Sequence, residues 1–270
     1  MHQSKYVAKQ PNNEGIIPYT AEENETWAIL YARQKGLVVD RACDEFIVGL
    51  EQLRMPEKAI PQCHEMNARL QACTGWQVKP VAALIPEEEY FDLLAHKTFP
   101  GASFIRTREE LDYLQEPDIF HEFFGHCPML INQAYADFQQ AYGKLALEAS
   151  PEDRIHLMRL YWFTVEFGLI QTDKGLRAYG GGILSSAQET VSCLIDKDAI
   201  RIHFGDGMTS LRTPYRIDMV QPLYFVLQGF QELYDILKQD LIGKVHEAQD
   251  LGDLPPNFPP LELGDTNVNC

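Results

Sequence analysis

The chain has 270 residues, enough for one large domain or two small ones, and its 45% hydrophobic and 11% aromatic content suffices for a packed core. A net charge of −16 and a pI near 4.9 argue against nucleic acid or an anionic membrane as partner, because both are bound through clustered Lys and Arg. No apolar leader follows Met1, no run of about 18 apolar residues occurs, and the six cysteines are scattered without C-x-x-C spacing. These features predict a cytoplasmic protein with free thiols and neither a zinc ribbon nor a disulfide framework.

Helical signals dominate in chain order. Thr20-Ala21-Glu22-Glu23 is a capping box that opens a helix running towards Gly36, and residues 60–72 are periodic before stopping at Thr74-Gly75. Residues 78–84 and 103–106 read as short strands. Tyr135, Phe138, Tyr142 and Leu145 fall on one face of a helix and should be core. Ser150-Pro151-Glu152-Asp153 supplies an N-cap, a proline at the first helical position and acids in the first turn, which predicts a helix over 151–170. Two further strands are expected at 200–204 and 216–220, and a helix at 221–238. The balance predicts a mainly α fold with a small antiparallel sheet: one domain over residues 1–250 and a Pro-rich acidic tail over 251–270.

Two segments carry chemistry. His121-Glu122-Phe123-Phe124-Gly125-His126 offers two imidazoles, and the run from Leu160 to Leu169 holds a single acid, Glu166, among apolar and aromatic residues. An ionised carboxylate there is costly unless something compensates it, and a divalent cation would. A helical H-E-x-x-H zinc site needs histidines four apart. Here the spacing is five, which places them roughly 140° apart on a regular helix. Gly125 in a left-handed conformation, with Pro128 beyond it, would end the helix and turn His126 back towards His121. With Glu166 the set is two imidazoles and one carboxylate, the open triad of non-haem Fe(II) chemistry. The plain alternatives are hydrogen-bonded core histidines and a Glu166 paired with Arg159.

The wider blocks go further. Residues Pro117 to His126, Leu160 to Gly168, Tyr179-Gly180-Gly181-Gly182-Ile183-Leu184-Ser185-Ser186, Gln221-Pro222-Leu223-Tyr224 and Cys73-Thr74-Gly75-Trp76 with Lys79-Pro80-Val81-Ala82 closely resemble the pterin-dependent aromatic amino acid hydroxylases, in order and across residues 20–235. The resemblance is strongest to the bacterial branch, because the regulatory region and tetramerising helix usual in animal members have no room here. A monomer or weak dimer is therefore expected.

The resemblance implies the family's catalytic fold, an Fe(II) held by His121, His126 and Glu166, and a cofactor that is tetrahydrobiopterin or a related tetrahydropterin. It implies that Arg106 clamps the substrate carboxylate through a bidentate pair. It further implies that Pro117, Trp162 and Phe167 pack the substrate ring together with His121, that Gly182 leaves room, and that Ser185 serves the substrate end and supports an iron-bound histidine. Glu122, with Ile85, Tyr90 and Tyr161, is the implied pterin face, while Asp118 and Glu189 are orienting residues. The implied partners are L-phenylalanine, O2 and the tetrahydropterin, and the implied reaction is para-hydroxylation to tyrosine. Trp162 stands where the tryptophan-directed branch carries Phe, and Ile217 where the tyrosine-directed branch carries Asp, which favours phenylalanine over those substrates. Leu114 departs from the hydroxyl side chain of animal phenylalanine enzymes. The rival readings are a zinc hydrolase using His121, Glu122 and His126, and a non-catalytic metal-containing protein that binds an aromatic amino acid.

Overall fold

In the computed structural model the described residues are 6–82 and 85–259. The N-terminal helices are α1 (Ala21–Leu37), α2 (Asp44–Leu53), α3 (Cys63–Cys73) and α4 (Glu87–Ala95). The central ones are α5 (Gln133–Glu148) and α6 (Pro151–Tyr161), followed by the short α7 (Gly181–Ser185), α8 (Ala187–Ile195) and α9 (Met208–Arg212). α10 (Gln231–Lys238) and α11 (Leu241–Leu251) close the fold.

Local sequence explains the helix starts. The Thr20 hydroxyl accepts from the Glu23 backbone while the Glu23 carboxylate accepts from the Thr20 N–H, so both orphan donors at the start of α1 are met. Ser150 accepts from Asp153 and Pro151 opens α6. Tyr135, Phe138 and Tyr142 are buried on α5 as their spacing predicts, and Leu145 packs at the margin of the core.

The strands are β1 (Gln77–Val81), β2 (Thr98–Ala102), β3 (Leu169–Thr172), β4 (Gly175–Ala178), β5 (Ile200–His203) and β6 (Leu223–Leu227). β1 and β2 form a parallel pair joined across α4. The other sheet has the order β4-β3-β6-β5, with β3/β4 antiparallel but β3/β6 and β5/β6 parallel. The expected antiparallel sheet is thus corrected to a mixed one. Only β3 and β4 are linked by a tight turn, with Gly175 at φ +98°, whereas the other neighbouring strands are separated by helical crossovers.

Other expectations shift for identifiable reasons. The helix over 151–170 stops at Tyr161, passes into one wide turn and becomes strand by Leu169. The helix over 221–238 is a strand followed by a helix, because Leu223-Tyr224-Phe225-Val226-Leu227 is buried along its full length, as a central strand with both faces covered must be. Residues 103–106 form no ladder, since the Arg106 N–H goes to the Asp118 carboxylate. Residues 216–220 bend instead of pairing, and the carbonyls of Arg216 and Met219 are taken by the Gln221 side chain. Positions 83–84 of the first expected strand lie outside the described residues, as do 260–270 of the expected tail. Residues 252–259 are irregular and tied back, with Arg159 bonding Asp253 through both Nη atoms at 2.5 and 2.9 Å and Leu254 N–H donating to Arg212 O at 2.8 Å.

One large apolar core runs through the described residues and includes Trp27, Phe46, Trp76, Phe91, Phe124, Tyr142 and Tyr224. Cys43, Cys63, Cys73, Cys127 and Cys193 are free thiols. Among the described residues no helix is long and apolar enough to cross a membrane.

Candidate metal centre and active site

His121–His126 is wound as a π-helix, and so is Trp162–Glu166 immediately after α6. In a π-turn the backbone bond spans five residues, here Cys127 N–H to Glu122 O at 3.2 Å and Phe167 N–H to Trp162 O at 2.8 Å. That winding solves the spacing problem differently from the expected helix end. Gly125 is not among the residues with positive φ, so it does not terminate a helix. Residue i+5 instead comes to stand over residue i, as i+4 does in an α-helix, and the His121 and His126 Nε2 atoms meet at 3.0 Å.

Glu166 completes the group. Its carboxylate lies 3.2 Å from His126 Nε2 and 3.6 Å from His121 Nε2, and one donor atom from each of the three side chains lies within 4.8 Å of the others. Arg159, the alternative partner for this acid, is spent on Asp253. Glycines make the approach possible. A Cβ at Gly125 would lie 2.6 Å from Gly181 O, and one at Gly181 would lie 2.3 Å from the His126 ring, so α7 can press on the π-turn only if both are bare.

The hydrogen bonding sets the protons. Ser185 Oγ has one hydrogen, which goes to Gly181 O at 2.9 Å, so at 2.9 Å it accepts from His121 Nδ1–H. His121 Nε2 therefore presents a lone pair to the centre. Burial, with His126 close by, pushes the His121 pKa down to about 4 and keeps the ring neutral. Burial alone would raise Glu166, but His126, then His121 and the Gly182 N–H outweigh it and hold the carboxyl below its ordinary value. Two imidazoles and a carboxylate converging on one point fit a divalent cation, and the set matches the two-histidine, one-carboxylate pattern of Fe(II).

Asp118 links this centre to Arg106. Its carboxylate accepts from Arg106 Nε at 2.8 Å and Nη2 at 2.9 Å, and also from the His121 backbone N–H at 3.0 Å. Burial opposes ionisation of Asp118, but the Arg106 guanidinium outweighs it and holds the carboxyl below the usual range. The Asp118 pair uses Nε and one Nη2 hydrogen, so the expected bidentate clamp on a substrate carboxylate has the remaining Nη hydrogens to draw on. One edge of the guanidinium is already paired with Asp118, which leaves the Nη1 end for another anion.

The aromatic residues gather beside Glu166. Trp162 lies 4.5 Å from Phe167 and stacks on Tyr215 at 4.4 Å, centroid to centroid. The space at Gly182 is filled by Phe167, since a Cβ there would lie 2.8 Å from that ring. Tyr90 donates its hydroxyl to that of Tyr161 at 2.6 Å. Glu122 is buried without an ion-pair partner among the described residues, and burial, with Glu166 and Asp118 nearby, raises its pKa well above normal. An uncompensated buried carboxyl near Tyr90 fits a planar ligand rich in N–H donors, as a reduced pterin is. Pro117 precedes Asp118 directly and Ile85 stands just ahead of α4, both partly exposed.

A family model described as biopterin-dependent aromatic amino acid hydroxylase matches residues 3–243. The chain belongs to that family. It is 52% identical over 260 residues to a phenylalanine-4-hydroxylase of Pseudomonas aeruginosa, covering 96% of this chain and 98% of the relative. A Vibrio cholerae phenylalanine-4-hydroxylase is 47% identical, with 96% and 89% covered. The solved phenylalanine hydroxylase of Legionella pneumophila superposes with a TM-score of 0.91 at 53% identity, over 94% of this chain and all of that one. The Chromobacterium violaceum enzyme, solved with bound Fe(III), gives 0.87 at 42% identity over 93% and 91%.

Two sets of roles were not recognisable in sequence. Gly125 and Gly181 matter for close approach rather than for backbone freedom, and the glycine run 180–182 is the only local signal of it. Tyr215 and Gln221 touch Trp162 from segments far along the chain.

Proposed function

We propose that this chain hydroxylates the para carbon of L-phenylalanine, giving L-tyrosine, with O2, a non-haem iron and a tetrahydropterin as reductant. The observation that carries the reading is the convergence of His121, His126 and Glu166 within 4.8 Å beside an aromatic wall, in a chain of this family. His121, His126 and Glu166 would hold the iron. When bound, iron and tetrahydropterin supply the electrons that split O2, one oxygen atom going to the substrate ring and the other to the pterin.

The protein's own part is binding, orientation and exclusion of water. Ser185 fixes the His121 tautomer, so that Nε2 carries the lone pair. Arg106, held by Asp118, offers its Nη1 end to the substrate carboxylate, and Trp162, Phe167 and Pro117 flank the ring, with Gly182 giving Phe167 its place. Glu122, Ile85, Tyr90 and Tyr161 form the pterin face, and the Glu122 carboxyl, its pKa raised by burial, faces the pterin ring. The enzyme works as a monomer or weak dimer in the cytoplasm, where its thiols stay reduced. The test is a turnover assay with phenylalanine, tyrosine and tryptophan in competition under Fe(II), O2 and tetrahydropterin. Tyrosine formed from phenylalanine as the dominant product supports the reading. Preferential oxidation of tyrosine or tryptophan, or no product at all, overturns it.

A further inference from the structure

Stacking restrains the Trp162 indole but does not by itself select its side-chain rotamer. Tyr215 stacks on the indole at 4.4 Å and Phe167 lies against it at 4.5 Å, tilted by 34°. Aromatic contacts of this kind are met in more than one offset arrangement. The indole Nε1–H removes that freedom by donating to Gln221 Oε1 at 3.1 Å.

Gln221 is itself fully committed. Its Nε2 donates to Arg216 O at 2.8 Å and to Met219 O at 3.0 Å, so the amide oxygen is forced to face the indole. A flipped amide would oppose two donors and strand two carbonyls. The Gln221 backbone N–H donates to Glu189 Oε1 at 2.8 Å, and the other Glu189 oxygen accepts from the Tyr224 hydroxyl. Gln221 and Glu189 are both buried. Glu189 sits in the first turn of α8, capped by Ser186, the residue after the Ser185 that holds His121.

We infer that Gln221 is a positioning residue for hydroxylation: anchored by Glu189, it fixes the side-chain rotamer of Trp162 and thereby the approach of the substrate ring. The inference rests on the hydroxylase reading above. Trp162 opens the same π-turn that ends in Glu166, so the clamp also joins the aromatic wall and the carboxylate to β6. A reacting ring displaced by about 1 Å can lose on the order of a hundredfold in rate, so one hydrogen bond at this position has leverage beyond its own strength.

The test is a double-mutant cycle of Gln221→Met and Trp162→Phe on the iron-loaded enzyme. Gln221→Met, similar in length but without the amide, should lower kcat for phenylalanine by about tenfold while leaving iron content and the KM for tetrahydropterin unchanged. It should also raise the amount of pterin oxidised per tyrosine formed. In the Trp162→Phe background, which has no N–H to hold, the same change should alter kcat by less than about twofold. An equal loss in both backgrounds, or no loss in either, overturns the inference. If Gln221→Met does not fold, Gln221→Asn keeps the amide but retracts it, and the same cycle applies. The indole N–H resonance of Trp162, assigned by its absence in Trp162→Phe, should move in Gln221→Met. An unmoved resonance sinks this inference alone, whereas a wild-type enzyme that makes no tyrosine sinks the functional reading.

Discussion

His121 and His126 are five residues apart, yet their Nε2 atoms lie 3.0 Å from each other because the backbone between them is wound as a π-turn. α7 packs closely against that turn at Gly125. Gly125→Ala would drive a Cβ to within 2.6 Å of Gly181 O and 3.2 Å of Ser185 Cβ. We expect a loss of about 1 to 3 kcal/mol in urea unfolding of the metal-free protein, with weaker iron binding as well. A variant as stable as wild type would mean that α7 is free to move away.

Ser185→Ala leaves His121 Nδ1–H without its acceptor and frees the ring to turn or to change tautomer. Loss of such a supporting bond typically costs about 10- to 100-fold in metal affinity or activity. Fe(II) titration under anaerobic conditions, together with tyrosine formation, checks this, and the fold itself should be little changed.

Arg106 has two tasks, and substitutions separate them. Arg106→Lys keeps a positive charge by Asp118 but cannot hold both carboxylates, so the KM for phenylalanine should rise roughly tenfold to a hundredfold, the worth of hydrogen bonds to a charged group. Arg106→Leu leaves Asp118 buried and unpaired, and should cost about 3 to 5 kcal/mol of stability. Steady-state kinetics on the first variant and urea unfolding of the second distinguish the two tasks.

Glu189 makes stability depend on pH. Burial, opposed by the Tyr224 and Gln221 hydrogen bonds, raises its pKa from 4.5 to about 7 in the fold. An acid with a raised folded-state pKa contributes its full stability below its unfolded value, and that contribution is lost as pH rises from 4.5 through about 7. The loss is on the order of 3 kcal/mol once complete. Glu189→Gln keeps an acceptor for the Gln221 N–H but does not titrate. Its unfolding free energy should therefore gain on wild type between pH 5 and pH 8, and a pH-independent difference would contradict the assignment.

Much of this site is legible in sequence, and the parts that are not share a cause. The isolated acid at Glu166 and the paired histidines stand out because an uncompensated carboxylate in an aromatic run needs a partner. The α1 and α6 starts are local and carried by Thr20 and Ser150. The π-turns are not legible, because i→i+5 winding leaves no residue pattern distinct from an α-helix and depends on what packs against it. Asp118 illustrates the same limit: by taking the Arg106 N–H it replaced an expected strand with a coil, and it holds one edge of the Arg106 guanidinium. β6 read as helix because a short apolar run has no periodicity to declare itself, and only burial of both faces decides it.

The most direct test is Glu166→Ala, assayed against wild type for iron bound after anaerobic loading and for tyrosine formed from phenylalanine, O2 and tetrahydropterin. The triad assignment predicts stoichiometric iron and sustained turnover in wild type, with iron binding and hydroxylation both reduced by at least about a hundredfold in the variant. Undiminished hydroxylation by Glu166→Ala would contradict it.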